Sequence, residues 1–393
     1  MTNVYLVSAA RTAIGSFGGA LKDQQPGELG AIPIRATIER SGLAPELVGH
    51  VVMGSVVLTE PRDAYVARIA AITAGIPKEV PALTVNRLCG SGLQAIISAS
   101  QSIMLGDCKV AIGGGVEVMS RAAYYSPGTR WGQRMGDTVM LDGLNGALTD
   151  PFHKIHMGVT AENVAREYQI SRADQDALAL ESQQRAARAI AEGRFRDQIV
   201  PVEISSRKGS VVFDTDEHVR MNAQASDLES LKPVFQRENG TVTAGNASGI
   251  NDGAGAVLLA SEAAVREHGL TPLARLVSYG HAGVDPAYMG IGPVPATRQA
   301  LERAGLSVDA LDVIESNEAF AAQACAVSKE LGFNSEKVNP NGSGISLGHP
   351  VGATGAIITT KLVYELQRSG GRFGLATMCI GGGQGIAAIW ERI

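Results

Sequence analysis

Aromatic side chains are scarce in this chain, at 8 Phe, 8 Tyr and 2 Trp in 393 residues. A core short of large rings has to be packed from Ala, Val, Ile and Leu. Cysteine is scarcer still: four in so long a chain do not make a disulfide scaffold. There is no excess of basic charge. Lys and Arg number 34 against 39 Asp and Glu, a net −5 with no basic arm, which argues against nucleic acid as a main partner. Long apolar runs are missing too. The longest uncharged stretch in the first half, Gly90 to Gly106, carries four Ser and two Gln. A membrane span needs ~20 mostly apolar residues, so this stretch reads as a buried helix. The opening MTNVYLVSAARTAIG lacks the charged start, apolar stretch and cleavage site of a secretory signal. The expectation is a cytoplasmic α/β protein with neither membrane nor nucleic acid as partner.

Glycine is what the chain has in plenty: 47 residues, where a typical composition of ~7% would give far fewer. Close backbone approaches and sharp turns are expected. The length implies two or three domain-sized units.

The chain repeats itself. ERSGL at 39–43 returns as ERAGL at 302–306, CGSGLQAI from Cys89 as HPVGATGAI from His349, and AIGGG at 111–115 as CIGGG at 379–383. Three pairs in one order, at nearly constant spacing, mark residues 1–118 and 273–393 as two copies of one βαβ-rich unit. Alternating strands and helices predict a mixed, largely parallel sheet in each copy. The duplication would set Cys89 and His349 at equivalent positions, each opening a central helix. Residues 119–246 have no counterpart and form a more polar insertion, after which 247–272 completes the first unit. Within the insertion Ser171 is the expected cap of a charged helix, with Ala177, Leu178, Leu180, Ala186 and Ile190 as its apolar face.

Four segments carry candidate chemistry. Cys89, in NRLCGSGLQA, stands where backbone N–H groups and a helix dipole would lower a thiol pKa; as a bland alternative it is a small packing residue. His349, in SGISLGHPVGATGA, is a base or donor near neutral pH, or a turn histidine bonded to backbone. The repeat favours pairing it with Cys89, the minimum for an activated thiol. Cys379 precedes three glycines whose N–H groups suit an oxyanion hole. Asn317, in ESNEAFAAQA, orients a water or carbonyl, or caps the next helix. Cys108 and Cys325 read as packing residues.

Together these segments resemble the thiolases, the CoA-dependent acetyl-CoA acetyltransferases, along essentially the whole chain. The resemblance rests on SAARTAIGSFGG, NRLCGSGLQA, NASGINDGAGA, NEAFAAQ, GHPVGATG and CIGGGQG in that order. With DPFHKIHMGVTAENVA in the insertion, the chain is most similar to the bacterial broad-specificity β-ketothiolases that supply polyhydroxyalkanoate synthesis.

The resemblance implies a five-layered α-β-α-β-α fold of two duplicated βαβαβ units with an inserted loop domain. It implies no permanently bound cofactor, coenzyme A and acyl-CoA as substrates, and a homotetramer with a dimer as fallback. Cys89 would be the nucleophile, activated by His349, and Cys379 the acid/base acting on the second acetyl-CoA. His349 and a water on Asn317 would form one oxyanion site, and the N–H groups of Cys89 and Gly381 the other. Leu148, His156, Met157, Arg220, Phe235, Ala244 and Ser248 match positions that contact CoA or the acyl group. Arg207, Lys208 and Arg220 are candidates for meeting the CoA phosphates, with Arg130, Arg134 and Lys154 behind them. A decarboxylating β-ketoacyl synthase would need neither Cys379 nor the insertion, and an acyl-CoA binding module would be expected to lack the nucleophile.

Overall fold

The computed structural model describes residues 2–206 and 209–393. The first half contributes β1 (Val4–Arg11), α1 (Pro26–Ser41), β2 (His50–Gly54), α2 (Val66–Thr73), β3 (Ala82–Val85), α3 (Ser91–Leu105) and β4 (Val110–Val118). The insertion holds α4 (Met157–Glu167), α5 (Arg172–Ala191) and a hairpin of β5 (Val202–Ser206) and β6 (Gly209–Phe213). The chain then returns as β7 (Asn251–Ser261). The second half comprises β8 (Ala274–Gly283), α6 (Pro293–Ala304), β9 (Val313–Ser316), α7 (Ala321–Leu331), α8 (Thr354–Ser369), β10 (Phe373–Ile380) and β11 (Gln384–Arg392).

Strand order runs β9-β10-β11-β8-β1-β7-β4-β2-β3, with the halves meeting where β1 and β8 pair antiparallel. In the first half β1–β7 and β7–β4 are antiparallel, while β4–β2 and β2–β3 are parallel. The second half repeats this with β8–β11 and β11–β10 antiparallel and β10–β9 parallel. The sheets are therefore evenly mixed rather than largely parallel. The returning strands run back antiparallel beside their neighbours, β11 after a three-residue turn and β7 after the whole insertion, which a crossover pattern does not anticipate.

The layers follow from which strand face each residue takes. On β7, Ala256, Leu258 and Ala260 pack with α1 and α2, whereas Val257 and Leu259 join the core around α3 and α8. On the second half, Ala376, Met378 and Ala388 face that same middle core, and Leu375, Ala387 and Ile389 face α6. The result is α1/α2, sheet, α3/α8, sheet, α6: five layers, with β4 and β7 buried along their whole length and the edge strand β3 partly exposed. The uncharged run after Cys89 is α3, in the middle layer.

Glycine makes the middle layer possible. A Cβ on Gly92 would stand 2.8 Å from Ala356 N, and one on Gly355 would stand 2.1 Å from Leu93 N, so α3 and α8 touch backbone to backbone. This symmetric pair fixes the repeat spacing at 263 residues, as do α3 against α8 and β4 against β10. Two expectations are corrected by it. Cys89 lies two residues before α3 and His349 five before α8, so they are not equivalent: Gly352 is the counterpart of Cys89. The AIGGG and CIGGG segments are also not counterparts. Gly113–Gly115 lie within β4, where Ile96 and Gly352 press on them, while Gly382 and Gly383, at φ +77° and +82°, turn the chain between β10 and β11. The tight-connection role suits the second triplet and not the first.

In the insertion, Ser171 caps α5 in a reciprocal bond pair with Asp174. The buried face of α5 is Gln175, Ala179, Ser182, Gln183, Ala186 and Ala189, and Ala177 is exposed. Of the expected apolar face, Ala186 is buried and Leu178, Leu180 and Ile190 are partly buried against neighbouring cores, but α5 also buries polar side chains with partners. Gln175 donates to Thr241 at 2.9 Å and Ser182 to Glu318 at 2.6 Å, and hydropathy cannot anticipate such pairing.

Candidate active site

A cavity of about 390 Å³ opens between the two halves and the insertion. Cys89 and the loop before α3 form one wall; His349, Cys379 and Gly381 form the opposite one. The insertion and the segment leading to β7 supply Leu148, His156, Met157, Phe235, Ala244 and Ser248. Of the catalytic and acyl- or CoA-contacting candidates only two do not line it: Asn317, which sits behind His349, and Arg220, which is exposed and gives its N–H to Gln183. A larger cavity of about 510 Å³ lies behind Ser316 and Glu318, between α5 and α7, and contains none of these groups.

The loop holding Cys89 is tightly wound. Leu88 takes a left-handed conformation, φ +46°, unusual for a branched residue. Its N–H bonds to Asn86, while Ser91 accepts from Arg87 N–H and donates to Leu88 C=O at 2.6 Å. This turn presents the thiol to the cavity beside its own N–H and that of Gly381, both directed at the sulfur. Burial nonetheless pushes the Cys89 pKa up to about 11, outweighing those donors. The expectation of a thiol acidified by its helix start is therefore reversed, and Cys89 needs a base. Cys379 is fully buried at the end of β10, and burial together with neighbouring Cys89 raises its pKa as well.

His349 meets the need for a base. Thr354 Oγ1 donates to Pro350 C=O, so at 2.7 Å from His349 Nδ1 it accepts the ring N–H. That leaves Nε2 as the acceptor nitrogen, to which Asn317 Nδ2 donates at 3.4 Å. Burial pulls the His349 pKa down to about 4, so the ring is neutral at pH 7 and able to take a proton. Its backbone N–H is held by Asn251 Oδ1 at 2.9 Å. Asn317 is buried and does not cap α7, whose N-cap is Phe320; its Oδ1 has no protein partner. The ring of His349 is likewise bonded to side chains and not to backbone.

His156 and Phe235 stack at 4.8 Å, and Phe235 meets Phe320 edge-on at 6.3 Å, making a flat apolar wall. Cations are absent from the lining: Arg130, Arg134 and Lys154 are exposed elsewhere, and Arg207 and Lys208 lie outside the described residues. Sequence reasoning missed Met119, Met289 and Val351 in the lining, and Thr354 and Asn251 behind His349. Val351 and Thr354, in the motif of His349, and Asn251, in NASGINDGAGA, stood in segments already singled out and carried a signal that could have been used.

Known proteins share this arrangement. Residues 4–263 match the thiolase N-terminal domain and residues 270–392 the thiolase C-terminal domain. The chain is 66% identical over 390 residues to beta-ketothiolase BktB of Cupriavidus necator, covering 99% of each. It is 52% identical over 391 residues to an acetyl-CoA acetyltransferase of Chromobacterium violaceum, again covering 99% of each. The solved human mitochondrial 3-ketoacyl-CoA thiolase superposes with a TM-score of 0.98 at 46% identity, covering 100% of this chain and 99% of that one. With two thiols and a neutral histidine converging between duplicated halves, and with both halves matched, the chain belongs to the thiolase family.

Proposed function

We propose that this protein is an acetyl-CoA C-acyltransferase. It condenses acetyl-CoA with acetyl-CoA or a short acyl-CoA to a 3-ketoacyl-CoA, and in reverse cleaves a 3-ketoacyl-CoA with CoA. The observation that carries the reading is the meeting of Cys89, Cys379 and His349 in one cavity, with the Cys89 and Gly381 N–H groups beside the nucleophilic sulfur. The Cys89 thiol attacks the thioester carbonyl as His349 Nε2 takes its proton. The tetrahedral oxyanion forms against the two N–H groups, and CoA leaves with the proton, giving acetyl-Cys89. Cys379, acting as a thiolate, then withdraws an α-proton from the second acetyl-CoA and returns that proton to Cys89 when condensation releases it. The enolate oxygen faces His349, whose ring must then carry its proton on Nε2, and a water held by Asn317, whose Oδ1 is a buried acceptor lacking a protein partner. The enolate carbon attacks acetyl-Cys89, and Cys89 is released as thiolate and reprotonated. Each well-placed oxyanion donor contributes roughly 3–4 kcal/mol to such a step.

The apolar lining by Met157, Met289, Leu148 and Phe320 suits short acyl chains beyond acetyl. The supply of 3-ketoacyl-CoA to polyhydroxyalkanoate synthesis rests on the sequence resemblance. The assembly is read as a homotetramer, with a dimer as fallback. The test is CoA-dependent cleavage of acetoacetyl-CoA and 3-ketovaleryl-CoA by wild type, Cys89→Ala and Cys379→Ala, with intact-protein mass after acetyl-CoA. Cleavage by wild type only, with an acetyl adduct lost in Cys89→Ala and kept in Cys379→Ala, is expected. Folded wild type that forms no adduct and cleaves neither substrate would discard the reading.

A further inference from the structure

Three residues beyond His349, the second half makes its deepest contact with the first. Gly352 is buried in a socket of first-half glycines. A Cβ on Gly54, Gly92 or Gly115 would stand 2.8, 3.0 or 2.1 Å from Gly352 O. On the other side of the peptide chain, Gly352 N–H donates to Glu117 Oε2 at 2.8 Å. Glu117 is buried at the end of β4, and its carboxylate also accepts from Val57 N–H at 3.0 Å and Val56 N–H at 3.1 Å. Backbone donors from both halves therefore end on one buried carboxyl group. Among the described residues no Lys, Arg or His pairs with it.

A carboxyl group is expensive to bury without a cation, and burial pushes the Glu117 pKa up to about 8, so its place calls for a reason. At the repeat spacing of 263, Gly352 is the counterpart of Cys89, and Glu117 is the counterpart of Ile380, the residue before Gly381. The halves thus cross at two comparable places about the pseudo-twofold, one residue out of register and with different bonds. On one side the segment before α3 brings Cys89 against Gly381. On the other, the segment before α8 brings Gly352 against Glu117. The first crossing holds the nucleophile. The second anchors the loop that carries its base, which is fixed to the first half at two points: His349 N–H on Asn251 and Gly352 N–H on Glu117.

We infer that Glu117 is a positioning residue for acyl transfer, its carboxylate clamping Gly352 to the first half and thereby setting His349 against Cys89. The inference deepens the thiolase reading and rests on it. Nucleophile and base come from different halves, so their separation is only as well defined as this crossing, and misplacement by about 1 Å can cost 10²-fold in rate.

Glu117→Gln keeps the shape and one acceptor oxygen but turns an amide NH₂ toward the remaining donors. The measurements are kcat and KM for CoA-dependent cleavage of acetoacetyl-CoA, the rate of Cys89 alkylation by iodoacetamide against pH, and circular dichroism with thermal melting. The expected result is a folded protein whose kcat falls by about 10²-fold while its KM for CoA is little changed. Cys89 alkylation at pH 7 should slow in parallel, because His349 no longer takes the thiol proton. Gly352→Ala, whose Cβ would stand 2.6 Å from Glu117 Oε2, displaces the same loop while leaving the bonds to Val56 and Val57, and should show the same split. A folded Glu117→Gln protein with a lowered melting temperature but wild-type kcat and alkylation profile overturns the inference, leaving Glu117 a purely structural anchor. If Glu117→Gln does not fold, Gly352→Ala decides by the same readouts. Wild type that does not cleave acetoacetyl-CoA refutes the thiolase reading instead, and the alkylation comparison still decides the clamp.

Discussion

His349 shows how burial sets chemistry at a single residue. An exposed imidazole would be partly protonated just below neutral pH, whereas this one, held near pKa 4 by burial, stays neutral and available as a base. The same shift has a cost in stability, whose sign follows from linkage. The folded state binds its proton more weakly than the unfolded chain, so the contribution is fully present above pH 6.5 and is lost as pH falls toward 4. Between pH 6.5 and 5 that loss amounts to about 2 kcal/mol. His349→Asn should remove it, so urea unfolding of the variant should show a shallower fall in stability over that window. An equal fall in both proteins would mean that the ring is not held neutral by its surroundings. The residue type and its motif were legible in the sequence; the tautomer was not, because Thr354 and Pro350 determine it through a side-chain contact that no spacing rule encodes. Cys89 is the converse case: its helix-start position was read correctly, but local position says nothing of the depth of burial that raises its pKa.

At the scale of elements, the duplication was legible because strands and helices recur in order, yet its register was misjudged by matching like-looking glycines. Gly113–Gly115 and Gly381–Gly383 are alike in letters and opposite in use. The first lets α3 and the Gly352 loop settle on β4, and the second closes a turn. Local composition cannot separate a glycine needed for φ from one needed for space. The spacing of 263 is defined instead by the crossing of α3 and α8. Gly355 should be the more sensitive half of that crossing, since its Cβ would stand 2.1 Å from Leu93 N and 2.8 Å from Leu93 Cα, backbone atoms that cannot rotate away. Gly355→Ala is expected to destabilise the protein by about 1–3 kcal/mol or more, the usual cost of overpacking, read as a lower denaturant midpoint. A midpoint matching wild type would show that the middle layer can spread without loss.

For the molecule as a whole, one part of the surface is out of character with the rest. The excursion between β4 and α4 exposes Trp131 at 91%, Met135 at 85%, Val139 at 68% and Met140 at 62% of their side chains, beside Tyr124 and Leu141. A chain so sparing of aromatics would not be expected to leave one of its two Trp in water, and contiguous apolar exposure of this kind marks a contact surface. Burial of these side chains between copies would account for the exposure, and it supports the proposed homotetramer. Trp131 and Met135 are not among the residues that line the cavity, unlike Leu148 and His156 further along the same excursion, so replacing them should leave each active site whole. Trp131→Ser combined with Met135→Ser should therefore shift the mass seen by light scattering from four chains to two, while acetyl-CoA still labels Cys89 in every chain. Unchanged mass would place the tetramer contact elsewhere on the surface. Loss of labelling along with assembly would mean that the excursion of one copy helps to shape the cavity of another.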